Sequence, residues 1–166
     1  MASRYDMDVS QVLSDLKATY DGYHFSRKLH NVYNPFSVLN ALSRSQLNSY
    51  WIATGSNEIL NNLSKKYVDE IPSLDGCLID ADYLEMSDVN MEEPKLFLYQ
   101  SGYLTIKAVR GDYYILGYPN KEVKKAMFEM VLPMMTNKSS SEVNTLIQKL
   151  KLNLCIGYVD EAMLCL

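Results

Sequence analysis

The sequence predicts an α+β protein that is mainly helical, and three observations carry that expectation. Apolar residues recur at helical spacing in separate runs, with Val12, Leu13, Leu16 and Tyr20 the first of them. Between Tyr103 and Tyr118 two β-rich runs flank a short glycine-containing turn, the pattern of a hairpin. A length of 166 residues, 48% of them hydrophobic, suffices for one good-sized domain or two small ones.

In chain order, the first helix is expected from Val9 to Tyr20, capped by Asp8 or Ser10. Asp21-Gly22 stops it, because glycine takes positive φ without a steric penalty. After a short basic loop, Asn34 can accept the first free backbone N–H of a second helix, and Pro35 sits where a missing N–H loses nothing. That helix runs to about Leu42, with Phe36, Leu39 and Leu42 on its inner face. Tyr50-Trp51-Ile52-Ala53 suits a buried strand or a helical turn. Ser56 then caps a third helix through Ile59, Leu60 and Leu63. Trp51 should be mostly buried between the second and third helices. Pro72 and Gly76 mark the loop that ends a helical subdomain over residues 1–75.

The second half changes period. From Cys77 to Leu84 weak alternation predicts one strand, and Pro94 opens a compact apolar helix that ends at Ser101-Gly102. Strands follow from Tyr103 to Val109 and from Tyr113 to Tyr118, joined by Arg110-Gly111-Asp112. A helix from Lys121 to Met135 should turn Val123, Met127, Met130 and Val131 inward. Strand, helix, hairpin and flanking helix are the parts of a winged-helix module, expected over residues 76–136. Asn137 to Ser141 reads as a linker, and a further amphipathic helix from Glu142 to Leu150 opens an incomplete segment over residues 137–166.

Composition removes several classes of function. A net charge of −4 gives no global field towards nucleic acid or anionic lipid. Cys77, Cys155 and Cys165 never reach CxxC spacing, which argues for reduced thiols and against a disulfide framework or a zinc site. No run is long and apolar enough to span a bilayer, so a cytoplasmic protein without membrane contact is expected. There is no phosphate-binding glycine–lysine loop and no strand ending in paired acids. His24 and His30 share a loop without Cys or Glu at ligand spacing. Asp80 and Asp82 alternate as a weak metal pair that reads better as a solvated edge. Ser37, Ser43 and Ser45 have no His and acid to form a triad. No catalytic residue and no metal site is expected.

The winged-helix parts raise nucleic-acid binding, for which Lys95 and Gln100 on the short helix and Lys107 and Arg110 on the hairpin would be the contacts. Glu92, Glu93 and Asp112 offset those charges, and the helix is otherwise apolar. A structural module packed on a neighbouring domain is the stronger expectation.

Five segments taken together carry a family resemblance. They are Tyr20-Asp21-Gly22-Tyr23-His24-Phe25, the run from Val32 to Asn40 containing Asn34-Pro35-Phe36-Ser37, Tyr50-Trp51-Ile52-Ala53-Thr54-Gly55, the run from Leu98 to Ile106, and Leu116-Gly117-Tyr118-Pro119-Asn120. In this order they resemble bacterial AAA-ATPase-like proteins that carry a C-terminal PD-(D/E)XK nuclease-like domain, and the resemblance covers about Asp8 to Leu132. It implies that residues 1–75 are a helical lid, that residues 76–136 are the winged helix, and that the remainder is the run-in of the nuclease-like domain. The family's phosphate-binding loop and its nuclease residues are missing, so the resemblance implies a truncated start, a fragment boundary or a misjudged gene start at Met1. ATP and Mg²⁺ are then expected only in intact relatives. The partners would be the ATPase core and the nuclease-like domain, with nucleic acid possible. By the same resemblance Asp21, Gly22, Tyr23, Asn34 and Pro35 lie near a bound nucleotide in the intact protein.

Overall fold

A computed structural model describes residues 8–51, 65–86 and 93–160 of the chain. Its fold is α+β and mainly helical. Helix α1 (Val9–Tyr20) buries Val12, Leu16 and Tyr20, spaced one turn apart on one stripe. Leu13, expected beside them, is exposed. The helix stops at Asp21, whose N–H still reaches the Lys17 carbonyl, and Gly22 then takes a φ of +102°. A single antiparallel bridge between Tyr23 and Val32 closes the basic loop. Asn34 caps α2 (Pro35–Arg44) by accepting from the Ser37 N–H at 3.2 Å, with Pro35 as first residue.

The inner face of α2 is a correction. Ser37 and Ala41 are fully buried, whereas Phe36, Leu39 and Leu42 are exposed. Small side chains one turn apart let α2 approach its neighbours closely, and Ser37 has a polar partner inside, as described below. Ala41 joins Val12, Leu16, Tyr20 and Tyr50 in a small core. Trp51 is half-buried rather than mostly buried, and its ring lies against Tyr103 and Tyr23. The third helix expected after Ser56 lies outside the described residues.

A short 3₁₀ turn (Ile71–Leu74) leads into β1 (Cys77–Asp80). The strand expected to reach Leu84 ends at Asp80, because that carboxylate accepts from the Tyr83 N–H at 2.9 Å and starts α3 (Ala81–Met86). Asp80 and Asp82 therefore belong to different elements and are not a pair on one strand face. Helix α4 (Pro94–Gln100) precedes the hairpin β2 (Thr105–Arg110) and β3 (Tyr113–Gly117). The sheet order is β1–β3–β2, antiparallel throughout, with a bulge between Ile106 and Ala108. Its inner face, with Ile79, Ile106, Tyr114 and Leu116, packs on Leu96 and Leu98 of α4.

Helix α5 (Lys121–Thr136) closes this main core with Val123, Met127 and Val131, while Met130 is only partly buried against it. The linker expected from Asn137 to Ser141 is a tight turn instead. Asn137 ends α5 in the left-handed conformation, and Ser139 already caps α6 (Ser140–Cys155). The cap is a reciprocal box: Ser139 Oγ accepts from the Glu142 N–H at 3.3 Å, and Glu142 Oε2 accepts from the Ser139 N–H at 2.8 Å. A serine run suits either a linker or a cap, and here the glutamate three residues on selects the cap. Helix α6 packs on α5 and buries Val143. Among the described residues, no helix is long and apolar enough to cross a membrane.

Candidate functional site

Two neighbouring features stand out: an aromatic cleft and a buried polar cluster beneath it. The cleft is about 330 Å³, a size at the lower end of ligand pockets. The bridge between Tyr23 and Val32 brings Phe25, Tyr33 and the Asn34-Pro35 helix start to one side of it. Trp51, Gln100, Ser101 and Gly102 form the other side. The Tyr23 ring stacks on Phe25 at 6.0 Å and meets Trp51 edge-on at 6.3 Å, and Trp51 tilts against Tyr103 at 4.9 Å. Gly102 has a φ of +77°, and a Cβ there would lie 3.4 Å from the Trp51 ring.

The polar cluster centres on Glu122, a first-turn residue of α5 that is 2% exposed. Its Oε1 accepts from the Tyr50 N–H at 2.6 Å, the Trp51 N–H at 2.9 Å and the Ser37 hydroxyl at 3.0 Å. Asn120, which caps α5 by accepting from the Val123 N–H, and Asn34 both lie beside the Tyr23 phenol. That hydroxyl makes no well-directed hydrogen bond to either, and burial pushes its pKa far above the ordinary range, with the Glu122 charge adding to the effect. Among the described residues, four buried side-chain atoms lack a hydrogen-bond partner: Asp21 Oδ1, the Tyr23 hydroxyl, Asn120 Nδ2 and Glu122 Oε2.

Gly22 is part of the same assembly. A Cβ at this position would sit 2.3 Å from the Pro119 carbonyl oxygen, so α1 can approach the start of α5 this closely only at glycine. The same carbonyl accepts from Lys107 Nζ at 2.8 Å. Lys107 is the residue at the β2 bulge, which turns its side chain back over the fold. Desolvation lowers the pKa of its ammonium, and the charges of Asp75 and Asp21 oppose that shift.

The loop after Tyr23 is pinned to the sheet. His24 Nδ1 lies 2.7 Å from the Ile106 carbonyl, its Nε2 pairs with Asn31, and its backbone exchanges hydrogen bonds with the Thr105 hydroxyl. Arg27 donates to the Tyr114 hydroxyl at 2.9 Å, and that hydroxyl also bonds Glu85. His24 is thus a structural anchor rather than a free loop residue, and His30 is exposed. No group of three His, Cys, Asp or Glu side chains converges to hold a metal among the described residues.

The five residues expected near a nucleotide are gathered in space: Asp21, Gly22, Tyr23 and Asn34 in or beside the polar cluster, and Pro35 at the exposed rim of the cleft. The four candidate nucleic-acid contacts are not alike in setting. Lys95 is half-buried near Cys77, Gln100 lines the cleft, Lys107 is turned onto Pro119, and Arg110 is exposed at the hairpin end. Sequence reasoning missed Glu122, Ser37 and Asn120. The available signal was an Asn cap followed by an acid beside the buried stripe of α5.

No family model and no solved structure matches the chain. An uncharacterized protein in the vnfD 5′ region of Azotobacter chroococcum mcd 1 is 30% identical over 122 residues, which cover 71% of this chain and 23% of that protein. The chain accordingly spans less than a quarter of the length of that curated relative.

Proposed function

We propose that this chain is the lid and winged-helix portion of an AAA-ATPase-like, nuclease-linked protein. In this reading it is non-catalytic and couples the nucleotide state of an ATPase core to a partner domain. The observation that supports it most is the convergence of the resembling motifs. Gly22, Tyr23, Asn34, Ser37, Tyr50, Trp51, Pro119 and Asn120 come from four separate stretches, yet they gather in and around the Glu122 cluster. Motifs that served only local turns would have no reason to meet. The strand order β1–β3–β2, with α3 and α4 between β1 and β2, is the arrangement a winged helix uses.

The greater length of the Azotobacter relative is in keeping with a chain that works beside other domains. ATP and Mg²⁺ then belong to the core, and nucleic acid to the nuclease-like domain, in a cytoplasmic protein. Asp21, Gly22, Tyr23, Asn34 and Pro35 are then nucleotide-proximal, with Pro35 exposed and the others lying behind it. The alternative, a regulator that reads nucleic acid through the wing, is weakened by the Lys107 ammonium, which is already engaged by Pro119.

The purified chain should neither hydrolyse Mg-ATP nor melt at a higher temperature in its presence. Ligand at 100 times its Kd would add about 2.7 kcal/mol and raise Tm by several degrees, and such a shift would overturn this assignment. In the full-length Azotobacter relative, Mg-ATP should protect the segment aligned with Tyr23 to Asn34 from proteolysis. Unchanged cleavage there would count equally against it.

A further inference from the structure

We infer that Glu122 is a latch: one carboxylate oxygen holds the backbone of Tyr50 and Trp51, a wall of the aromatic cleft, to helices α2 and α5. Tyr50 and Trp51 belong to no helix or strand, so no ladder supplies partners for their N–H groups. Glu122 Oε1 supplies both, at 2.6 and 2.9 Å, and takes the Ser37 hydroxyl from α2 at 3.0 Å. Bonds to an ionised acceptor are the stronger kind. The position suits a charge, because Glu122 lies in the first turn of α5, where the positive end of the helix dipole falls.

Glu122 Oε2 has no hydrogen-bond partner among the described residues, so the hold on the cleft wall passes through the other oxygen. The Trp51 ring stands on this anchor, 4.9 Å from Tyr103 and 6.3 Å from Tyr23. Movement of the first turn of α5 therefore moves the cleft wall. By reciprocity, whatever fills the cleft acts back on α5. Glu122 is a positioning residue, since it touches nothing in the cleft itself.

Amide exchange in the full chain, read residue by residue, tests this together with the fluorescence of Trp51, the only tryptophan. In the unaltered protein the Tyr50 and Trp51 amides should be protected although they lie outside regular structure. Exchange at the open-chain rate would overturn the latch without any variant. In Glu122→Ala these two amides should exchange at least about tenfold faster, the factor expected for losing one buried hydrogen bond. Trp51 emission should shift to the red, while the Tyr113–Gly117 amides keep their protection. In Glu122→Gln, which retains one acceptor oxygen but loses the charge, the Tyr50 and Trp51 amides should exchange faster than in the unaltered chain and slower than in Glu122→Ala, with the sheet amides unchanged. No acceleration at those two amides would count against the latch. Equal acceleration of the sheet amides in Glu122→Ala would make Glu122 an ordinary core contact and refute the latch, as would no change at Tyr50 and Trp51. Should Glu122→Ala fail to fold, the unaltered protein and Glu122→Gln decide the matter.

Discussion

Replacing Gly22 by alanine tests the close approach of α1 to the start of α5. The backbone there has a φ of +102°, and the added Cβ would meet the Pro119 carbonyl oxygen at 2.3 Å, far inside van der Waals contact. Gly76 is the internal control, because its φ of +93° is nearly the same and nothing lies within 4 Å of its Cβ position. Each substitution pays the strain of a side chain at positive φ, of order 1–3 kcal/mol. Gly22→Ala adds the displacement of a backbone carbonyl that also holds Lys107, comparable to overpacking a core at about 1–3 kcal/mol. Gly22→Ala should therefore be less stable than Gly76→Ala by about 2 kcal/mol, with its Tm roughly 4–8 °C lower. Urea unfolding followed by far-UV circular dichroism measures both variants on one scale. If Gly22→Ala is no less stable than Gly76→Ala, the close approach of α1 to the start of α5 is wrong.

Two further changes probe other parts of the fold. Leu39 is 67% exposed and Ala41 fully buried, so Leu39→Ala should change stability by no more than about 0.5 kcal/mol, whereas Ala41→Leu should lose about 1–3 kcal/mol by overpacking. The reverse order in urea unfolding would restore the hydrophobic face expected for α2. Burial pushes the phenols of Tyr20 and Tyr118 from 10 up to about 12, so each stays protonated in the folded chain over a range where the unfolded chain loses its proton. Stability should accordingly hold below pH 10 and fall as pH rises towards about 12, with a slope approaching 1.4 kcal/mol per pH unit for each phenol ionised only when unfolded. A urea midpoint that does not move across that range would show that these tyrosines reach solvent.

Wherever the signal was local, the sequence was a good guide. Asp21-Gly22 ends α1, Asn34-Pro35 starts α2, and Arg110-Gly111-Asp112 joins β2 to β3, each through backbone preferences that a few residues satisfy among themselves. The five candidate nucleotide residues, which rest on the family resemblance, lie together in or beside the polar cluster and the cleft. Faces and partners were harder. Phe36, Leu39 and Leu42 share a helical stripe as plausible as the true one, and only the closeness of neighbouring elements favours the small pair Ser37 and Ala41. The strand was expected to run on to Leu84 because nothing local marks Asp80, its last residue, as also the start of a helix.

The sequence by itself determined where α1 ends, where α2 starts and where the hairpin turns, because caps, glycines and hydrophobic period act within a few residues of one another. Tertiary structure alone decided that Glu122, to all appearance a solvent-facing acid near a helix start, is buried and bonded to groups 71 to 85 residues away. It also decided that Lys107 folds its ammonium onto the Pro119 carbonyl, and that Trp51 belongs to a cleft with Tyr23 and Tyr103. The physical reason is the same in each case. A hydrogen bond or ring contact depends on a distance between atoms, and for residues far apart in sequence that distance exists only once the chain has folded.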